Sequence, residues 1–260
     1  MIKWLKKHRI HTRKISKRRL ASRKKSARKL RGGANANHWL VFYTYFFGND
    51  SSIANIIPAA PSTVYDCYYF SNNKNTLEKL KGTAWKPVYI DKGIKNTNVG
   101  NTMDGKEIKA CPHHFEQLKG YTYSCFFDSK LTVVDTDVEK MIRDKLETGP
   151  AVMIMNTHKF VKPGIWEEYN ESMKHDRYRA EEKQYSEYIN EQVTNGLKTN
   201  VDTHFAGGFI IRKSGSQSEK INEEWYKHIM MAGIQDQISF FFVQQQFKGL
   251  IVSTDTWYGS

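Results

Sequence analysis

Cysteine and proline are scarce: three Cys and six Pro among 260 residues. The cysteines, Cys67, Cys111 and Cys125, are odd in number and far apart, which excludes a disulfide-dense secreted scaffold. No C-x-x-C pair occurs, so a zinc ribbon and a thioredoxin-type site are excluded too. No apolar run approaches the ~18 residues that span a bilayer. The longest, Trp39 to Phe47, has about half that length and is aromatic and β-rich. Neither a G-x-G-x-x-G loop nor a G-x-x-x-x-G-K-[ST] loop is present, which argues against a Rossmann dinucleotide site and a P-loop. G-x-S-x-G and H-E-x-x-H are absent as well.

Acidic residues are missing from one stretch altogether. Residues 1 to 32 hold 15 of the 40 Lys and Arg and no Asp or Glu. The other 228 residues then carry 25 basic against 27 acidic groups, so the formal charge of +13 belongs to the tail. A near-neutral body argues against nucleic-acid binding through the body, which would need its own basic face. The tail has no continuous apolar segment and is no secretory signal; in lacking acids it is similar to a transit peptide. It reads either as an arm that adsorbs to an anionic surface or acidic partner, or as a solvated arm with no specific role. Gly32-Gly33-Ala34-Asn35-Ala36-Asn37 reads as a flexible junction, giving an arm over 1–37 and a folded domain over 38–260.

Within the domain, strand and helix signals alternate. Strands are expected over Trp39–Tyr45, Val64–Phe70, Trp85–Ile90, Tyr121–Phe127, Ala151–Met155 and Phe209–Arg212, from β-branched and aromatic runs closed by turn residues. Helices are expected over Glu107–Gln117 (broken by Pro112), Thr136–Leu146, Ile165–Val193 (one or two), Glu219–Met231 and Asp236–Phe247. Such alternation predicts an α/β fold, a mostly parallel central sheet flanked by helices. In these sheets ligands bind beyond the carboxyl ends of the strands. That directs attention to Tyr43–Asp50, Ser71–Asn73, Asp128–Lys130 and Asn156–His158.

Phe126-Phe127-Asp128-Ser129-Lys130-Leu131 delivers one carboxylate at the end of an apolar strand. Asp128 there is placed to hold Mn²⁺ or Mg²⁺ on a sugar-nucleotide diphosphate, with Lys130 pairing with the same phosphates. It equally suits an ordinary turn-capping Asp. Asp236 starts a helix and reads either as an N-cap or as a base on an acceptor hydroxyl, with Gln237 placed to bond sugar hydroxyls. His158 follows the fifth strand, where it suits a hydrogen-bond donor, a metal ligand or a bland histidine. Glu168 reads as a first-turn acid favoured by the helix dipole, or as an acceptor-side acid. Pro112-His113-His114 places two histidines side by side; on a helix they would diverge, which argues against a metal pair.

Taken in order, these segments resemble a glycosyltransferase family of plants and bacteria that includes the turgor-regulation-defect and mucilage-related proteins. Its fold is GT-A-like, and it has relatives in large algal viruses. The resemblance covers about residues 39 to 247. It rests on Thr44-Tyr45-Phe46-Phe47-Gly48, Phe70-Ser71-Asn72-Asn73, Cys111-Pro112-His113-His114-Phe115, and Tyr123 to Leu131 at the centre. His158, Glu168, Ile210-Ile211-Arg212, Trp225 and Asp236-Gln237-Ile238-Ser239-Phe240 complete it. The centre reads Asp-Ser-Lys where many GT-A enzymes have Asp-x-Asp. The resemblance implies transfer of a sugar from a nucleotide-sugar, a UDP-sugar by preference, to a glycan or glycoprotein hydroxyl. Under it Tyr43, Thr44 and Asn72 line the nucleotide pocket and Arg212 adds positive charge at the diphosphate. His158 and Gln237 then position donor sugar or leaving phosphate, and Asp236, with Glu168 second, is the base of an inverting reaction. The plant relatives are membrane-anchored; with no anchor seen here, a soluble enzyme in a cytoplasm is expected, a host cell's if the chain is viral. The sequons at Asn49 and Asn170 would then be unused. The alternative is a glycan- or anion-binding protein that has the fold without the catalysis.

Overall fold

Strand β1 (Leu40–Phe46) is the seven-residue run LVFYTYF, and six of its residues are buried. A strand buried on both faces belongs inside a sheet, and β1 pairs in parallel with β2 (Asp66–Ser71) on one side and β4 (Tyr123–Phe127) on the other. The computed structural model describes residues 38–256; the basic arm and junction expected over 1–37 lie outside the described residues.

After β2 comes the short helix α1 (Lys74–Glu78), capped by Asn73, whose side chain accepts from the Thr76 amide at 3.2 Å. Edge strand β3 (Lys86–Tyr89) is parallel to β2, and Pro87 is tolerable there because an edge needs fewer ladder donors. Helix α2 (Asn98–Ala110) starts nine residues before the expected Glu107, capped by the Thr97 hydroxyl, and stops before Pro112. Two 3₁₀ turns, Pro112–His114 and Glu116–Leu118, lead into β4. Helix α3 (Asp135–Met141) runs on as a π turn over Ile142–Leu146 into β5 (Met153–Thr157). The charged stretch expected as one or two helices is three: α4 (Ile165–Ser172), α5 (Asp176–Arg179) and α6 (Glu182–Thr194). Then follow β6 (Phe205–Lys213), α7 (Ser216–Ala232), α8 (Asp236–Gln246) and β7 (Ile251–Thr254).

The seven strands are ordered β3-β2-β1-β4-β6-β5-β7. Every pairing is parallel except those of β6, which runs antiparallel to both β4 and β5. The mostly parallel sheet of the sequence reading is therefore present, with one reversed strand inside it. Helix α8 is buried on most of its surface because it is covered on two sides. Phe240 and Val243 join the core cluster on the sheet with Trp225, Phe126 and Ile210. Ile238, Phe241 and Phe242 join a second cluster with Ile165, Tyr185 and Ile189 of α4 and α6. Truncating a buried aromatic such as Trp225 costs about 3–5 kcal/mol. No helix among the described residues is long and apolar enough to cross a membrane.

Candidate active site

The carboxyl ends of β1, β4 and β5 lie on one edge of the sheet. Because β6 is reversed, its beginning lies there too: the Asp128 amide donates to the Gly208 carbonyl at 2.8 Å. Glycine is required at this start by close approach. A methyl on Gly208 would meet Asp128 Oδ2 at 3.0 Å, and one on Gly207 would meet Lys109 Nζ at 3.1 Å and Asp236 Oδ1 at 3.3 Å.

Asp236 is the first residue of α8, but its side chain does not cap the helix. It turns to α2 instead. Lys106 Nζ and Lys109 Nζ both donate to Asp236 Oδ2, at 2.6 and 2.7 Å. All three side chains are buried, Asp236 at 3% exposure. Burial raises the Asp236 carboxyl, but the two ammonium groups outweigh it and hold the carboxyl at about 2. Lys106 is pushed below its ordinary value, burial being the largest cause. Lys109 also lies 5.3 Å from the Phe126 ring and 5.9 Å from that of Trp225.

Asp128 is in a different state. It is exposed at the end of β4, yet the protein around it raises its carboxyl above the ordinary range. Desolvation is the largest cause; Lys109 and Lys106 oppose it and Asp236 adds repulsion. Its solvent access limits the size of that effect. Lys130 is exposed two residues on. Tyr45 packs its ring directly on Gly105 of α2, and its hydroxyl is pushed up by burial, with Asp236 and Asp128 adding to the rise.

Glu168 forms a second polar centre. Its Oε1 accepts from Ser172, Gln235 and Gln237 at 3.2, 3.0 and 3.1 Å. Its Oε2 accepts from His204 Nε2 at 2.7 Å, and His158 Nε2 lies 3.8 Å away. The two imidazoles stack at 5.1 Å. His158 is held below the ordinary histidine value, chiefly by burial, against the pull of Glu168. The Nδ1 atoms of both rings are buried without a partner.

The structure thus brings Asp128, Lys130, Asp236, Gln237, Glu168 and His158 to one edge of the sheet. Two expectations are corrected. The family resemblance implies that Arg212 adds positive charge at this edge. In the reversed β6 it pairs with Ser124, at the opposite end of β4. There it is buried and fully engaged, donating to Asn222 Oδ1, Tyr43 OH and the Lys109 carbonyl at 2.8, 2.9 and 2.8 Å. Tyr43 in turn has no exposed surface and is a core partner of Arg212. Thr44 and Asn72 are buried, with Thr44 Oγ1 and Asn72 Nδ2 unpartnered; Asn72 Oδ1 accepts from the Gly48 amide at 3.1 Å.

Lys106, Lys109 and His204 were not anticipated. The lysines share a face of α2 with Met103 and Ala110, so a buried helix face carrying two positive charges was a readable signal. His204 adjoins β6, whose early start was hidden by the glycine pair.

The divalent cation implied by the sequence resemblance fits Asp128 only in a limited sense. Among the described residues no group of three or more potential protein ligands includes Asp128. One carboxylate suits Mg²⁺ or Mn²⁺ that is held mainly by diphosphate oxygens and water, not by a protein cage.

No family model and no curated protein matches the sequence. Solved structures similar to this chain include mouse xyloside xylosyltransferase 1 in its apo form, 10% identical over 83% of this chain and 84% of that one, with a TM-score of 0.41. Another is a glycosyltransferase involved in the glycosylation of the major capsid of PBCV-1, 8% identical over 84% and 82%, also with a TM-score of 0.41. Similarity of this order leaves the chemistry to be argued from the side chains.

Proposed function

We propose that the chain is a nucleotide-sugar-dependent glycosyltransferase whose donor diphosphate lies against Asp128 at the end of β4. The observation that carries this reading is an open carboxylate beside two buried lysines at the carboxyl edge of a parallel sheet, where ligands of such sheets bind. A diphosphate brings negative charge that Lys106, Lys109 and Lys130 offset, and a Mg²⁺ or Mn²⁺ ion carried with it would bridge to Asp128. When bound, that ion stabilises charge on the leaving nucleotide. The glycine pair lets the site approach the backbone of β6 closely. His158 and Gln237, at the rim beside Glu168, are placed to bond sugar hydroxyls.

Asp236 serves in this reading as the clamp that fixes Lys106 and Lys109. A carboxyl held at about 2 by two ammonium groups is a poor base near neutral pH. The oxygens of Glu168 are likewise filled by Ser172, Gln235, Gln237 and His204. With both carboxylates occupied, retention at the anomeric carbon is the proposed outcome in place of inversion. The same occupancy favours a second reading, a glycan- or anion-binding protein without catalysis.

A screen of UDP- and GDP-sugars with the full chain, in Mn²⁺, Mg²⁺ or EDTA, separates the two. Slow release of nucleotide from one donor is expected, lost in EDTA and about 100-fold slower in Asp128→Asn. Nucleotide binding without any turnover would establish the binding protein. NMR of the glycoside product from an active donor tests retention directly.

A further inference from the structure

We propose that Cys111, His113, His114 and Glu223 form a site for one divalent transition-metal ion of the zinc class, joining the end of α2 to α7. The site is separate from the edge that carries Asp128, and the inference does not depend on the glycosyltransferase reading.

One ligand atom from each of the four residues lies within 4.8 Å of all the others. The convergence is on a single oxygen: His113 Nε2 is 2.9 Å and His114 Nε2 2.7 Å from Glu223 Oε1. Adjacent histidines on one helix face would point apart. Here they sit on the 3₁₀ turn after α2, and both rings turn to one acceptor supplied by α7; their centroids are 4.5 Å apart. The preceding residue, Cys111, is buried, with Sγ 3.4 Å from the carbonyl of Asn222, the residue before Glu223. A thiol, two imidazoles and a carboxylate form the donor set that four-coordinate zinc takes.

The surroundings supply an outer partner for His114 and an approach from solvent. Glu107 Oε1 lies 3.1 Å from His114 Nδ1, so a carboxylate stands behind the ring whose Nε2 faces Glu223. A carboxylate behind a ligating histidine is the usual way its orientation is fixed. An open depression of about 700 Å³, lined in part by His113, His114, Glu219 and Glu223, gives the ion a path from solvent. On binding, the Cys111 thiol and both Nε2 atoms release any protons they carry to solvent, and four metal–ligand bonds form.

The test uses the untagged full chain, stripped of metal and titrated with Co²⁺ alone. One equivalent should bind with the ligand-field absorption of a tetrahedral site and a thiolate-to-cobalt charge-transfer band. Cys111→Ser should abolish the charge-transfer band. Glu223→Gln, at an exposed position where folding is not at risk, should weaken binding by roughly 100-fold, and Glu107→Gln by about 10–100-fold, the range for outer-shell partners. Several results would overturn the proposal. One is the absence of stoichiometric Co²⁺. Another is a bound ion with no thiolate band. A third is unchanged affinity in Glu223→Gln, and a fourth is loss of the ion in His158→Ala with retention in His113→Ala.

Discussion

Asp128 and Asp236 lie at one edge of the same sheet in opposite states. Asp128 is open to solvent, with its carboxyl raised by the protein around it. Asp236 is buried, with one oxygen shared by two lysines and its carboxyl held at about 2. Position at a strand or helix end is common to both, so position does not assign their work. The neighbours differ: an open carboxylate can meet a ligand, and a doubly paired one is neutralised where it stands.

The largest effect that tests this contrast is on stability. Asp236→Asn leaves two buried ammonium groups without their counter-ion, and breaking a buried pair in this way costs about 3–5 kcal/mol. Asp128→Asn should change stability by no more than about 0.5 kcal/mol, as exposed substitutions do. Urea unfolding of the two variants measures the difference, and equal losses would break the comparison.

Next is turnover. Asp128→Asn should lower it about 100-fold, equivalent to roughly 2.7 kcal/mol, in a protein that still folds. Steady-state rates with the donor found in the screen check this. Gly208→Ala sharpens the same point, because a methyl 3.0 Å from Asp128 Oδ2 displaces the carboxylate without touching its chemistry.

A smaller effect is acid sensitivity. Asp236 has a folded value below the ~3.9 of an unfolded chain, so it releases its proton more readily when folded. Its stabilisation is complete above pH ~4 and is lost as pH falls through about 2. Acid unfolding followed by circular dichroism should show this window, and Asp236→Asn should lack it. The smallest effect belongs to Lys130→Ala. An exposed charge screened by salt should alter donor KM only a few-fold, and less at high ionic strength.

Much of the sheet was legible in the sequence because the signals are local. The aromatic and β-branched run of β1, and the YSCFF run of β4, announce buried strands by composition alone. The direction of β6 was not legible, since Phe209–Arg212 has the same pattern in either orientation. That one reversal moved Arg212 to the far end of β4 and brought Gly207 and Gly208 to the site. Lys106 and Lys109 were not singled out in the sequence, and the partner buried with them, Asp236, is 130 residues from Lys106. The place of Asp128 at the end of β4 was legible because its signal, a carboxylate closing an apolar run, is complete within six residues.

The strand order also sets a timetable for biosynthesis. β5 lies between β6 and β7, so its outer edge stays bare until residues 251–254 have been made. That edge belongs to Met153-Ile154-Met155, an apolar segment with no charge. At about 5–20 residues per second, the hundred or so residues between β5 and β7 take roughly 5–20 s to emerge from the ribosome. During that interval the nascent chain displays a template for intermolecular pairing. Recovery of soluble protein should therefore depend on translation speed and chaperone supply more than on the stability of the finished fold.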